Sequence, residues 1–574
     1  MKASDYIADF LHAQGVPQVF EVVGGMITHL VDSLYAQGRT RLVSMHHEQA
    51  AAFAADAVGR MTGIPGVAMA TSGPGATNLL TGIGSCFFDS TPAVFITGQV
   101  NLHEQKGSRP IRQLGFQETD IVAAAGPLLK AAWRITQADE IPERLADAFR
   151  TAVSGRPGPV LVDLPFDLQR AALTTPPPVR VQSAPSVPCD VDALRPLLRA
   201  LAAARRPLIL AGGGIRAARS IDAFRRVVDR LEVPVVSSLL AVDALPYGHT
   251  CRVGMIGSYG NRWANLAVSE ADLLLVLGSR LDIRQTGADV AAFRAGRTIY
   301  HVDCDAAEIN NRIQGCHGVV ADLRAFFSGL EPLLDVVARP DLAAWRAHLH
   351  ELRQRWPDVA ELDGAPGINP NVLMHQISAH DGAATVAAYV ADVGQHQMWA
   401  AQSIELRDHQ RFLTSGGMGA MGFGLPAAIG AAVASKHPVV LIAGDGGFQL
   451  NIQELQTIVR NGLPIKMVVL DNKCHGMVRQ FQQSYFGERY QSTYWGYSAP
   501  DFADVARAYR IEATFARDVA AVAPALERMW RDPQEPFMLH VEIDTFVNAY
   551  PKLAFGRPIS EMEPLAKPIA IEST

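Results

Sequence analysis

The sequence predicts an α/β protein of three doubly wound parallel-sheet domains, and three observations point to it. Short β-branched runs alternate with Ala- and Leu-rich helical patterns: Gly66 to Ala70 and Ala93 to Gly98 early, Pro207 to Ala211 and Leu273 to Gly278 in the middle, Val439 to Gly444 and Ile465 to Leu470 late. Apolar runs of this length, separated by crossover helices, are the pattern of parallel strands buried on both faces. Two stretches break the alternation, Thr174 to Pro188 and Arg355 to Pro370, and their Pro, Ser and Gly content reads as linkers. They divide the 574 residues into rough thirds of ordinary domain size. The expected domains are residues 1–173, 189–340 and 366–550, followed by a tail at 551–574. No short-period repeat is visible, and the first and third domains are candidates for one shared fold.

Composition narrows the function. At 48% apolar and 19% charged residues, the chain has enough apolar material for several large cores. A net charge of -6 without a run of five like charges speaks against nucleic acid or an anionic membrane as partner. The six cysteines, Cys86, Cys189, Cys251, Cys304, Cys316 and Cys474, contain no CxxC pair, which argues against a zinc site or disulfide framework and for a reducing, cytoplasmic setting. At the N-terminus, Tyr6, Ile7, Phe10 and Leu11 fall at helical spacing behind Ser4, a candidate cap, unlike the apolar core of a signal peptide. Apolar runs such as Val439 to Ala443 are too short to span a bilayer, so no membrane span is expected.

The richest stretch runs from Val439 to Gly476. An apolar strand enters Gly444, Asp445, Gly446 and Gly447, where glycines let backbone amides approach a phosphate and the following helix N-terminus favours negative charge. Asp445 offers a hard oxygen; Asn472, 27 positions on at the end of the next apolar run, offers another. A magnesium ion bridging two phosphates takes such ligands. Alone, the glycine run is equally a strand-turn-helix connection with Asp445 as cap. In His46, His47, Glu48 and Gln49, Glu48 precedes the Ala-rich segment Ala50 to Met61, and alone it reads as a solvated first-turn glutamate.

Taken together these motifs resemble the thiamine-diphosphate enzymes. The segments HEQAAAFAADAVGRMTG and ATSGPGATNLLTGI are similar to their pyrimidine-binding domain, and GDG followed at this interval by DN is similar to their metal and diphosphate signature. The resemblance implies Asp445, the Asn472 side chain and the Cys474 backbone carbonyl as Mg2+ ligands. It implies Glu48 as the carboxylate that protonates the cofactor's aminopyrimidine ring, and an active site between two subunits of a homodimer or homotetramer. FQETDIV, DVGQHQMWAAQ and FLTSGGMGAMGFGLPAAIGAA narrow the resemblance to acetohydroxyacid (acetolactate) synthase catalytic subunits, over nearly the whole chain. By match, Val393, Gly394, Gln395 and His396 belong at the diphosphate end with Gly444, Gly446 and Gly447. Met421 supports the cofactor, and Met477 lies beside it within the run Asn472, Lys473, Cys474, His475, Gly476. Gly25, Phe116 and Gln117 line the reaction pocket. Without that context Met421 and Met477 read as core filler and Gln117 as solvent-facing.

In the middle third, the Gly212, Gly213, Gly214 run after a strand suits a dinucleotide phosphate or a tight structural turn. The resemblance implies FAD there, at Arg156, Gly212, Gly213, Gly214, Gly278, Arg280, Arg284, Asp303 and Asp322. Ser258-Tyr259-Gly260 departs from the Met-His-Gly step more usual in that family.

Two further departures concern substrate. Phe166 stands where typical synthases have lysine, and Phe481 where tryptophan commonly governs acceptor choice. The ending AYPKLAFGRPISEMEPL is similar to thiamine enzymes of sugar-modifying pathways. The expected activity is decarboxylation of pyruvate and transfer of its two-carbon unit to a carbonyl acceptor. That acceptor is a 2-oxo acid or a bulkier ketone, such as a nucleotide-linked keto sugar or a diketone. A simple decarboxylase, an FAD-linked oxidase and a non-catalytic nucleotide-binding protein are the alternatives.

Overall fold

The computed structural model describes residues 1–174, 177–182, 186–335 and 340–569. Part of the first expected linker, the end of the expected tail and the last residues of the expected central domain lie outside them. Three six-stranded, all-parallel sheets form the scaffold. In spatial order the first runs Arg41–Ser44, Gln18–Val22, Gly66–Ala70, Ala93–Gln99, Pro159–Pro165, Ala131–Arg134. The third runs Arg411–Leu413, Ala388–Ala391, Val439–Gly444, Ile465–Asp471, Phe537–Glu542, Glu512–Ala516. Counting strands along the chain within each sheet, both have the order 2-1-3-4-6-5, so the first and third sheets share a topology. The second runs His317–Val320, Thr298–Asp303, Leu273–Leu277, Pro207–Ala211, Val235–Ser237, Arg252–Met255, which is the dinucleotide-fold order 3-2-1-4-5-6 read from its far edge.

Burial explains the strand sequences. Ala93–Gln99, Pro159–Pro165, Val439–Gly444 and Ile465–Asp471 are buried at every position, as strands with helices on both faces must be. The chain forms two compact units. One is built on the first sheet together with Ser415–Lys436 and Asn451–Leu463; the other holds the second and third sheets. In the first unit, helix Glu48–Thr62 packs on helix Gly424–Ser435 so closely that a side chain at Gly430 would overlap the Ala54 carbonyl.

Two local expectations give way. Ser4 is not a cap: helix Ala3–Ala13 starts after Lys2, and the Ser4 hydroxyl, buried in the first turn, accepts from Ser33 at 2.9 Å. The entry is instead set by pairing with a distant segment, Ala3 N donating to Ala171 O and Leu173 N to Met1 O. The stretch Arg355 to Pro370 is not a loose linker. Asp358–Leu362 forms a 3-10 turn, and Leu362 and Ile368 enter the core of the third sheet.

Candidate active site

In a doubly wound sheet, ligands gather at strand C-terminal ends where the strand order reverses. In the third sheet that place lies between Ala388–Ala391 and Val439–Gly444. The first strand delivers Asp392, Val393, Gly394, Gln395 and His396, and the second delivers Gly444 to Gly447. The neighbouring strand Ile465–Asp471, with Leu470 opposite Gly444, carries Asn472 to the same edge.

The backbone here leaves little room for side chains. A Cβ on Gly444 would sit 2.8 Å from the His396 ring, one on Gly446 2.8 Å from His475, and one on Gly447 2.8 Å from the Asp392 carboxylate. One on Gly476 would overlap the Gln395 amide. Gln395 Nε2 donates to Gln480 Oε1 at 3.1 Å, while its Oε1 accepts from Asn472 Nδ2 at 3.3 Å. Asn472 Oδ1 in turn accepts from Cys474 N at 3.2 Å.

Asp445 is buried; one carboxylate oxygen accepts from Gly446 N at 2.9 Å, and Oδ2 has no hydrogen-bond partner among the described residues. Burial and the charge of Asp471 push its carboxyl well above the usual range. Asp471 moves the other way despite its own burial, because His540 Nε2 at 3.1 Å and Lys473 N at 3.0 Å hold it ionised. The Tyr497 phenol, packed edge-on to His475 at 4.5 Å between centroids, is raised by burial and by Asp445's charge. It lies near enough for each group to shift the other's titration, without the geometry of a hydrogen bond. A buried carboxyl oxygen without a partner among the described residues, beside glycines that admit no side chain, fits a divalent cation, which would favour its ionised form, and a phosphate. Among the described residues no three His, Cys, Asp or Glu side chains converge as a metal cluster, so beyond Asp445 such an ion would draw on amide, carbonyl and phosphate oxygens. His396 is also buried, its imidazole pushed down to about 3 by desolvation, hence neutral, with Nε2 unpartnered among the described residues. Met477 packs against the core of this sheet, the structural role open to it. Phe481 is 43% exposed and joins Tyr485 and Phe486 in an aromatic cluster, with centroids 4.7 and 5.7 Å away.

The first unit places Glu48 as the first residue of helix Glu48–Thr62, whose N-cap is the His47 imidazole, accepting from Gln49 N at 3.1 Å. Glu48 is half-buried; its Oε2 accepts from Asn78 Nδ2 at 2.9 Å, and its Oε1 lies 3.2 Å from where a Gly75 Cβ would be. The reversal point of this sheet, between Gln18–Val22 and Gly66–Ala70, brings Gly24 against Thr71. Gly25 faces open space, while a Cβ on Gly73 would sit 2.9 Å from Gln117 Cβ. Gln117 holds a left-handed φ of 64°. Its loop is pinned by Glu118, which accepts from Lys106 N at 2.6 Å and Leu114 N at 2.8 Å. Phe116 is 79% exposed, and Phe166 stacks on His29 at 4.6 Å. Met421 is no core filler: it is exposed on the segment Ser415–Lys436.

Asn78 and Asp392 stand inside the quoted motifs but are not singled out there, and Asp471, Gln480 and Tyr497 are not predicted as site residues at all. Of the last three only Asp471, adjoining Asn472 in the DN pair, leaves a local trace in the sequence. The ties of His46 N to Glu454 at 2.9 Å and of Asn451 to Gln49 at 3.4 Å join residues some four hundred positions apart.

In the second sheet, Gly212 and Gly214 follow Pro207–Ala211 and meet Gly278 after Leu273–Leu277, at the reversal point. A Cβ on Gly214 would lie 2.7 Å from Gly278 Cα, one on Gly213 3.2 Å from Leu240, and one on Gly212 would overlap the Gly278 carbonyl. Backbone packing therefore accounts for much of this run. Asp322 caps helix Leu323–Leu330, accepting from Arg324 N at 2.8 Å, and Asp303 accepts from Asp305 N at 2.9 Å. Arg280 lies 3.7 Å from Asp282, and the Arg284 carbonyl accepts from Ser258 N at 2.6 Å. Arg156, in the first unit, donates to Ser90 at 2.8 Å.

Family models agree with this arrangement. The N-terminal thiamine pyrophosphate (TPP) binding domain matches residues 1–124, the thiamine pyrophosphate enzyme central domain 194–330, and the C-terminal TPP binding domain 392–541. The chain belongs to the thiamine pyrophosphate enzymes, in the acetolactate synthase large-subunit family. It is 39% identical to acetolactate synthase isozyme 2 large subunit of Escherichia coli (strain K12), over 98% of this chain and 99% of that one. It is 38% identical to acetolactate synthase large subunit of Parasynechococcus marenigrum, over 97% and 90% of the two chains. With the probable acetolactate synthase large subunit of Methanocaldococcus jannaschii it shares 34% identity over 100% and 96%. Among the described residues no helix is long and apolar enough to cross a membrane.

Proposed function

We propose that the protein is a carboligase that decarboxylates pyruvate and transfers the resulting two-carbon unit to a 2-oxo acid acceptor, as acetolactate synthase does. The observation that carries this reading is the cradle at Asp445, whose buried oxygen, unpartnered among the described residues, lies at the same sheet edge as Asn472 and beside glycines that admit no side chain. Asp445, the Asn472 side chain and the Cys474 carbonyl hold Mg2+. The Gly444 to Gly447 backbone, with Gln395, His396 and His475, holds the diphosphate. Bound thiamine diphosphate supplies the electron sink that makes loss of carbon dioxide from a 2-oxo acid feasible. Glu48 would exchange a proton with the aminopyrimidine ring once the cofactor is bound, and Asn78 keeps its carboxylate in place. Met421 and Met477 brace the cofactor, and Gln117 with Gly25 positions the reacting carbonyl.

The functional division is a pyrimidine-binding domain at 1–173, a central domain at 189–340 and a diphosphate-binding domain at 366–550, with a tail from 551. The active site is completed between two subunits of a homodimer or homotetramer. FAD would bind at the reversal point of the second sheet, a reading supported by the strand order. Its role there is structural.

A second reading, a bulkier ketone as acceptor, is favoured by the exposed aromatic cluster around Phe481 and by the Phe166 ring stacked on His29. Competition between 2-oxobutyrate and a panel of ketones for the two-carbon unit of labelled pyruvate, read by product mass, decides between them. Label carried mainly into ketone adducts would overturn the 2-oxo acid assignment.

A further inference from the structure

A cavity of about 280 Å³ lies beside the starting ends of the second sheet's edge strand, Arg252–Met255, and of its neighbour, Val235–Ser237. That is the opposite strand end from Gly212 and Gly278. Two arginines on its wall form a ladder with two rings. The Arg252 guanidinium carbon is 4.8 Å from the centre of Tyr247, and that of Arg353 is 5.0 Å from the same ring and 5.8 Å from Trp263. Guanidinium faces stacked on rings leave the in-plane N–H donors for other partners.

Those donors have no acidic partner. Among the described residues neither Arg252 nor Arg353 has a carboxylate within 4.0 Å. Two other groups on the wall do: Arg346 pairs with Glu232 at 2.5 Å and His249 with Asp229 at 3.0 Å, while His350 meets the Gln354 amide at 2.8 Å. The charges of Asp358 and Glu405 reach Arg252, but both carboxylates are engaged by His375, at 2.9 and 2.8 Å. Burial and the neighbouring Arg353 pull Arg252 down to about 10, which marks two like charges held together without full compensation. A carboxylate at this place would relieve the cost, and so would a bound anion. At about 280 Å³ the cavity stands at the lower limit of ligand pockets, which run from about 300 to 1,000 Å³, and has room for a small tetrahedral oxyanion.

We propose that this cavity binds a phosphate-type oxyanion between Arg252 and Arg353, at a site separate from the diphosphate cradle and from the dinucleotide position. The anion comes as free phosphate or as the phosphoryl group of a small phosphomonoester, and its binding ties the edge of the second sheet to helix Ala343–Arg355.

The test titrates inorganic phosphate, and in a second arm methyl phosphate, into the full-length protein saturated with thiamine diphosphate, Mg2+ and FAD. Saturation keeps the other phosphate sites filled, and chloride at equal ionic strength controls for screening. Calorimetry and 31P line broadening are expected to show one saturable phosphate site per chain. Arg353→Gln and Arg252→Gln weaken it at least about tenfold, the size expected when a charged hydrogen bond is lost, whereas Tyr247→Phe, which keeps the ring, binds as the parent does. Methyl phosphate binding as tightly as phosphate assigns the site to phosphomonoesters, and much weaker binding assigns it to the free ion. The absence of saturable binding by the unaltered protein, an equal response to chloride, or unchanged affinity in Arg353→Gln overturns the proposal. Should the glutamine variants fail to fold, the unaltered protein's titration still decides.

Discussion

Asn78 Nδ2 donates to Glu48 Oε2 across 2.9 Å, so the carboxylate at the start of helix Glu48–Thr62 is held from the neighbouring short helix Pro74–Asn78. Glu48→Gln should lower kcat by about 10²- to 10⁴-fold, the usual contribution of a proton-transferring group. Asn78→Ala should cost about tenfold, because Glu48 remains but is less well held. Steady-state carbon dioxide release measures both, and an Asn78→Ala enzyme as impaired as Glu48→Gln would assign Asn78 a larger role than positioning.

The cradle glycines make a second prediction. Gly444→Ala would bring a methyl group within 2.8 Å of the His396 ring, and Gly476→Ala would collide with Gln395. Each should weaken thiamine diphosphate binding at least about tenfold and destabilise the fold by about 1–3 kcal/mol, the usual cost of overpacking. Cofactor titration followed by tryptophan fluorescence, with urea melts alongside, reads both effects.

Asp163 predicts a pH dependence of stability. Burial raises its carboxyl to about 6, against the opposing pull of Thr97, Gln99 and Arg134. The folded pKa thus lies above the unfolded value near 4. The native state binds this proton more tightly, so the associated stability is full below pH about 4 and is lost as pH rises through about 6. The loss is at most about 3 kcal/mol. Asp163→Asn removes the titration, so its stability relative to the parent should improve between pH 5 and pH 7.5 in urea melts. A gap between the two proteins that stays constant with pH would show that Asp163 does not titrate in this window.

Much of the scaffold was legible in sequence because fully buried parallel strands announce themselves as apolar runs: Gly66–Ala70, Pro207–Ala211 and Val439–Gly444 have the limits their composition suggests. The cradle was legible for a related reason, since its glycines and Asp445 are contiguous and Asn472 ends the next strand. What was hidden depends on meetings between distant residues. Ser4 has the composition of a cap, yet backbone pairing with Ala171 to Leu173 sets that helix end. Met421 looks like filler but stands exposed, and nothing local marks Asn78 as the partner of Glu48 or His540 as that of Asp471. The Gly212 to Gly214 run shows the reverse case, a ligand-like motif whose glycines are already required by the approach of Gly278.

The proposed role of Phe481 in acceptor choice makes a further prediction. It is 43% exposed and in contact with Tyr485 and Phe486, so a larger ring there changes the shape of the apolar surface rather than the core. Phe481→Trp should change the ratio of products from pyruvate and 2-oxobutyrate by about tenfold, the scale of discrimination by one or two methylene-sized contacts. The variant should melt within a few degrees of the parent. Competition assays analysed by mass give the ratio directly.

The most direct measurement incubates the purified protein with thiamine diphosphate, Mg2+ and uniformly 13C-labelled pyruvate, following labelled carbon dioxide and product mass together. The account predicts carbon dioxide release and a five-carbon product built from two pyruvates, both largely abolished in Glu48→Gln and Asp445→Asn. No carbon dioxide from pyruvate, or equal output from those two variants, would contradict it.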